Sequence, residues 1–356
     1  MEKVRPLIGK MKETRGATAI IVALMISAFL GFGALAVDIG YVMVTKNELQ
    51  NVSDSAALAA TRQLGSIYEP MSAKEQSVYV CDPAPLIAIA KDIALKNKAA
   101  GINIVVNDED VIIGQWDTKT KTLTPTYNQP DAVSVIARRD DLANNPITTF
   151  FARIFGINTI ALSADATAAL TGLSKIGPGG LPVPMGISKK WFEKPEFCKQ
   201  PIKFYPTGTL EGCAGWHTYD SKTHSASQLA KILKGLKDGT YLSPETTVGM
   251  TEFNFTGGTV GSAYDDMKAL FDYMKTRDDD GNPDTWTTTV VVYDLADCSN
   301  PTNEIGIVGF ATAIIKEVLG PSTKIINAEV LCDDVERGRG SGGNYGTKGS
   351  IPGLVE

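Results

Sequence analysis

Residues 17–37, ATAIIVALMISAFLGFGALAV, run for 21 positions without a charge. At a helical rise of about 1.5 Å per residue the run is about 31 Å long, which matches a bilayer hydrocarbon core of about 30 Å. Past Asp38 the pattern changes but does not break. Val42, Thr45, Leu49, Val52, Ala56 and Ala59 recur at alternating spacings of three and four, which is one helical stripe. From Ile39 to Leu64 there is no proline, and the single glycine is Gly40. The pattern predicts one helix, a membrane span at 17–37 that continues as a stalk over 38–64.

Basic flanks stay on the cytoplasmic side of a membrane. Lys3, Arg5, Lys10, Lys12 and Arg15 precede the span, against Glu2 and Glu13, so 1–16 is expected inside and the rest of the chain outside. Asp38 then marks the outer membrane boundary, where an acid is hydrated. The competing reading is a secretory signal, because Ala34-Leu35-Ala36 fits its small-x-small cleavage pattern. A cut after Ala36 needs extended chain there, and the run exceeds the usual apolar core of such signals, about 7–15 residues. Retention is the expectation and cleavage its alternative. Within the span, Ala19, Ala23, Ser27 and Gly31 form a row at i+4 spacing. Such a row lets a second helix approach closely.

Beyond the stalk, apolar periodicity predicts a short helix over 86–99. Strands follow at 102–106, 111–116 and 132–139. The segment 145–156, NPITTFFARIFG, has an Asn cap, a first-turn proline and a terminal glycine, and is expected as a helix. Residues 158–172 alternate and favour a strand. The punctuated stretch 174–181 is expected as a linker. After it come helices at 226–239 and 262–278 and strands at 285–298 and 323–332. The run 305–320 is readable as strand or buried helix, with strand preferred. The glycine-rich end, 336–356, is expected to be a flexible tail. The fold class is α+β: a long transmembrane-plus-stalk helix, a small mixed unit over 65–173, and a β-rich α+β domain over 182–335.

Composition narrows the function. Net charge is −6, and no basic-aromatic face follows the N-terminus, which argues against a nucleic-acid partner. The five cysteines, at 81, 198, 213, 298 and 332, form no CxxC pair. Structural disulfides are expected in an oxidising compartment. Four cysteines permit three pairings; local reasoning favours Cys198–Cys213, which bracket a Pro- and Gly-rich stretch, and Cys298–Cys332 at two strand ends, with Cys81 free.

Candidate chemistry is sparse. Asp278, Asp280, Asn282 and Asp284 gather oxygens that suit calcium, but the loop lacks the EF-hand register, and a solvated turn is preferred. His217 and His224 are the only histidines; their spacing does not make a helical zinc pair, and packing or loop roles are preferred. Trp216, near Cys213, is expected to pack against a disulfide. Gly338 to Gly343 matches GxGxxG, but no following helix is predicted to cradle a phosphate. No catalytic residue, cofactor or small-molecule substrate is expected.

The segment from Arg15 to Leu64 resembles the N-terminal region of TadG-like proteins of the Tad (Flp) pilus-assembly system. The resemblance rests on Arg15-Gly16, Ala36-Val37-Asp38, Leu49-Gln50-Asn51 and Asp54-Ser55-Ala56-Ala57-Leu58-Ala59-Ala60. It continues more weakly to about residue 170. It implies a single-pass inner-membrane protein, pseudopilin-like, whose partners are other pilus-assembly membrane proteins or pilins. True pilins carry a processed glycine with a glutamate five residues on; after Gly16 that position is Ile21, so prepilin processing is not implied. A surface adhesin and an exported hydrolase are the alternatives.

Overall fold

The computed structural model describes residues 15–194, 197–198, 200–204, 212–250, 253–256, 260–261, 263–278, 282–320 and 322–355. Helix α1, Arg15–Tyr68, is unbroken for 54 residues, about 81 Å at helical rise. Its first half is bare: from Ile20 to Val37 its large apolar side chains are exposed. Its second half carries a core. Thr45, Leu49, Val52, Ala56, Ala57, Ala60 and Leu64 are buried, so the stripe drifts from the expected Ala59 to Ala60. That drift follows from 3.6 residues per turn.

The stalk packs on α2, Ala84–Leu95, and on an antiparallel sheet. The sheet contains β1, Val111–Asp117; β2, Thr122–Pro125; β3, Ala132–Arg139; and β4, Leu162–Ala169. The alanines of α1 bring the helix backbone close enough for polar contacts to the sheet. Ser53 Oγ donates to the Ala164 carbonyl at 2.8 Å and accepts from the Ala137 amide at 3.2 Å. Gln50 Nε2 donates to the Asp165 carbonyl at 2.9 Å.

The second region is built on an eight-stranded sheet. Its strands are β6, Met185–Ser188; β7, Pro201–Lys203; β8, Ala214–His217; β10, Asn254–Thr256; β11, Trp286–Tyr293; β12, Asn303–Glu304; β13, Ile307–Leu319; and β14, Ile325–Val330. Their order is β7-β14-β13-β11-β6-β8-β10-β12. The β6–β11 pair is parallel; the other pairs are antiparallel. Helices α3, Ala226–Asp238, and α4, Ala263–Met274, pack on one another, and α4 packs on β13. Ser225 caps α3 by accepting from the Gln228 amide, and Gly239 ends it at φ 72°. Trp191, Trp216 and Trp286 are fully buried in this core. The run at 307–319 is a strand, as preferred; its β-branched content suits the pleat.

Three expectations fail here. The glycine-rich end is not loose: β15, Asp334–Arg339, and β16, Thr347–Ile351, pair in parallel, and β17, Gly353–Leu354, adds to the first sheet beside β4. Its glycines serve close approach rather than freedom. A Cβ on Gly342 would stand 2.1 Å from the Leu173 carbonyl oxygen. Nor is 174–181 a free linker, since β5, Lys175–Ile176, pairs with β9, Thr246–Thr247, and with β15. The segment 145–156 is not one helix; it is a two-residue strand, Ile147–Thr148, then a 3-10 turn, Ala152–Phe155, closed by Gly156 at φ 82°.

The chain end therefore straps the second region onto the stalk. Arg62 donates to the Ser350 carbonyl at 3.0 Å and pairs with Glu69 at 2.8 Å. Gln76 exchanges two hydrogen bonds with the Val335 backbone, at 2.8 and 3.0 Å. Lys348 bridges Asp131 at 2.8 Å and Asp333 at 2.6 Å. Gly65 lets strap and helix meet: a Cβ there would lie 2.0 Å from the Ser350 carbonyl oxygen.

The strap also carries a pH response. Burial, reinforced by the neighbouring Asp334, pushes the Glu336 carboxyl up to about 7. A raised acid favours folding while protonated, so its contribution is complete below the ordinary glutamate range and is lost as pH rises through about 7. Glu336→Gln should shrink the difference by which the melting temperature at about pH 5 exceeds that at about pH 8, a window above the range in which the carboxylates with lowered pKa titrate. An unchanged difference would remove Glu336 as its source.

Candidate functional site

Asp38 is the first functional candidate, and its surroundings differ from expectation. It is buried, at 4% exposure, rather than hydrated. Its Oδ1 accepts from the Phe150 amide at 2.7 Å, and its Oδ2 accepts from Phe151 at 3.0 Å and Ala152 at 2.6 Å. The acid thus caps the 3-10 turn at 152–155 from 112 residues away. This explains why 145–156 does not form one helix. Three successive amides at its centre turn to a carboxylate on α1. The Tyr41 and Phe150 rings meet edge-to-face, 5.3 Å apart, and fix the same junction from above.

Around that junction the bare half of α1 and the loop form an open apolar groove of about 540 Å³. Phe29, Ala34 and Val37 line it from the helix, and Phe151, Ile154 and Phe155 from the loop. Nothing polar converges on it except the backbone that Asp38 already satisfies. The arrangement can seat apolar groups; it has no acid, base or nucleophile with which to do chemistry.

The small-residue row Ala19, Ala23, Ser27 and Gly31 lies on the bare helix and is exposed. Ser27 Oγ donates to the Ala23 carbonyl of its own helix at 2.9 Å, so its hydroxyl is satisfied without a partner. Replacing Ala23 and Ser27 by leucine should reduce co-purification with any helix that packs on this row while leaving the fold of the rest of the chain intact. Unchanged co-purification would exclude this row as the contact.

The disulfides pair otherwise than expected. They are Cys198–Cys332 and Cys213–Cys298, and Cys81 is free and buried. The sheet order supplies the reason. Cys198 precedes β7, at one edge, and Cys213 precedes β8, five strands across, about 24 Å at the usual strand spacing. Cys298 and Cys332 follow β11 and β14, which flank β13. Two strand spacings, about 10 Å, exceed the usual Cα separation of bridged cysteines. Continuing the β7–β14 register, in which Pro201 faces Glu329, sets Cys198 opposite Cys332. The Cys213–Cys298 bridge crosses the end of β6, where Ser188 Oγ also donates to the carbonyls of Leu295 and Asp297 at 2.9 Å.

The remaining candidates are structural or fall partly outside view. In the proposed calcium loop, Asp280 lies outside the described residues. Asp278 accepts from the Thr287 amide at 2.5 Å, and Asn282 from the Asp284 amide at 3.1 Å. Among the described residues no cluster of His, Cys, Asp or Glu could hold a metal. His217 sits among Tyr219, Phe253 and Phe255, and burial pushes its pKa down to about 3. His224 is exposed ahead of α3. Trp216 packs edge-on to Tyr264, 5.7 Å away, in the core that holds Cys213 and Cys298. Sequence reading missed the loop Phe150–Ile157. Its signal was the density of apolar residues in TTFFARIFGI, which the Asn cap, first-turn proline and terminal glycine present as a helix.

Comparison with known proteins agrees with the N-terminal pattern. No curated protein and no solved structure matches the chain. Two family models do: one described as "Putative Flp pilus-assembly TadE/G-like", over residues 16–63, and one described as "Putative Tad-like Flp pilus-assembly", over residues 74–168. The first covers the apolar span and the buried stalk face, and the second covers α2 and the sheet on which the stalk packs. Over these two segments the chain is similar to the Flp pilus-assembly proteins that the two family models describe.

Proposed function

We propose that the protein is a membrane-anchored, pseudopilin-like accessory of Tad/Flp pilus assembly that acts through protein–protein contacts. The observation that carries this reading is the division of α1. One continuous helix is bare and apolar over its first half and carries a folded head on its second. A bare apolar helix of this length is suited to lipid, and the head is suited to present surfaces outside it. The N-terminus is cytoplasmic and the bulk of the chain periplasmic or extracellular in this reading, in keeping with the basic residues before the span and with two disulfides in the head. Helix continuity through Ala34–Ala36 supports retention of the span over cleavage.

Photo-crosslinking from the exposed stalk position 47 in intact cells tests the reading. Capture of other Flp pilus-assembly proteins or pilins is expected. Capture of host-surface molecules alone would favour an adhesin. Turnover of a hydrolysable substrate by the purified chain would overturn the non-catalytic reading.

A further inference from the structure

The loop Phe150–Ile157 exposes an unusual amount of apolar surface. Phe155 is 81% and Ile154 77% exposed, and Phe150, Phe151 and Ile157 are each more than 40% exposed. A contiguous patch of this kind marks a surface that something covers. The position of the loop says what. It hangs beside α1 below Asp38, and the helix residues across the groove run from Val37 down to Phe29. That interval is about 12 Å along the helix axis, and it lies inside the apolar span. The patch is therefore continuous with the bare helix surface.

We propose that this loop is seated in the outer leaflet of the bilayer, with lipid acyl chains filling the groove between it and α1. The inference rests on the reading that residues 17–37 span a membrane. Irregular backbone is excluded from lipid when its polar groups lack partners, and here seven of the nine amides of 149–157 have an acceptor within the fold. Asp38 takes the amides of 150, 151 and 152. The amides of 149, 154, 156 and 157 donate to carbonyls of the same loop, between 3.0 and 3.2 Å. Thr149 Oγ1 donates to the Ile157 carbonyl at 2.6 Å. The loop turns its side chains outward and its hydrogen bonds inward.

The flanking residues fit an interface. Arg153 is exposed on the loop and spends two of its donors on the Thr149 carbonyl, and an arginine at this level has lipid phosphates within reach of the rest. Tyr41, one turn above Asp38, stands where aromatic side chains mark the membrane–water boundary. Seated in this way, the loop and Asp38 together fix how deep the helix sits and which side of it faces the head. The small-residue row would then be presented in one direction only.

The test uses the full chain in nanodiscs of phosphatidylcholine and phosphatidylglycerol. Phe155→Cys and, separately, Ile154→Cys are labelled with an environment-sensitive fluorophore. Leu24→Cys reports the middle of the span, and Leu242→Cys reports an exposed site on the second region. The result expected is blue-shifted emission at 154 and 155, with most of it lost to lipid carrying a nitroxide near the headgroup and little lost to aqueous iodide. Position 24 should respond to a deeper nitroxide, and position 242 to iodide. Iodide quenching at both loop sites, with position 24 still quenched by lipid, would overturn the loop proposal and leave the anchor standing. Protection from both lipid and iodide would overturn it in favour of a protein covering the groove. Absence of lipid quenching at position 24 would overturn the membrane reading itself.

Discussion

A chain carrying Cys198→Ser and Cys332→Ser is expected to unfold about 10 °C below the parent under non-reducing conditions, taking about 2–4 °C per kcal/mol for a unit of this size. The bridge closes a sequence separation of 134 residues, and the chain-entropy model assigns such a loop about 5 kcal/mol. That is a large part of a typical stability of about 5–15 kcal/mol. The local reason points the same way. Strand β7 has three residues and pairs on one side only, with β14. Ile202 and the adjoining Phe204 are buried beneath it. Without the bridge this edge frays, and both side chains leave the core with it. Calorimetry reads the shift, and a fall of under about 2 °C would refute the assignment of stability to this bridge. Non-reducing peptide mapping should also recover 198 with 332 and 213 with 298; a peptide joining 198 to 213 would contradict the fold.

Why that pairing escaped sequence reading bears on the rest of the molecule. Local patterning is strong where one element meets one core. The stripe from Thr45 to Ala56 gave the stalk, and the strand read from the β-branched, apolar content of 132–139 has the observed bounds of β3. It is weak where both faces of a short strand are buried. All four residues of Met185–Ser188 are buried, so no alternation marks that strand. It fails where the deciding partner is distant in sequence. Asn145-Pro146 and Gly156 punctuate a capped turn as well as they punctuate a helix, and only Asp38 distinguishes the two. Glycine at 338–343 reads as looseness until Leu173 is known to pass 2.1 Å from where a Cβ would stand at Gly342. The family motif, by contrast, was legible because it is local: Leu49, Ala56, Ala57 and Ala60 all lie on the buried face of one helix.

Asp38→Ala is expected to release the loop while leaving α1 intact. Alanine is the best helix former, so the helix loses nothing of its own. The loop loses the acceptor of three amides, at 2.6 to 3.0 Å. Hydrogen bonds to a charged group contribute about 1.5–3 kcal/mol each, and water recovers part of that when the loop opens. A net local cost of about 3 kcal/mol corresponds to about a hundredfold change in an opening equilibrium. Hydrogen exchange at the amides of 150, 151 and 152 should accelerate by about that factor, while exchange within Ala132–Arg139 stays as in the parent. Unaltered exchange at the three amides would show that the carboxylate does not hold the loop. Asp38→Asn should fall between the two. An amide side chain presents one oxygen and one NH₂ group, and the latter would face donors where Oδ1 or Oδ2 now accepts. Only an ionised carboxylate offers two acceptor oxygens and no donor. Three amides converge on it from one side, and that is the chemical reason for an acid, rather than its amide, where the bare helix meets the head.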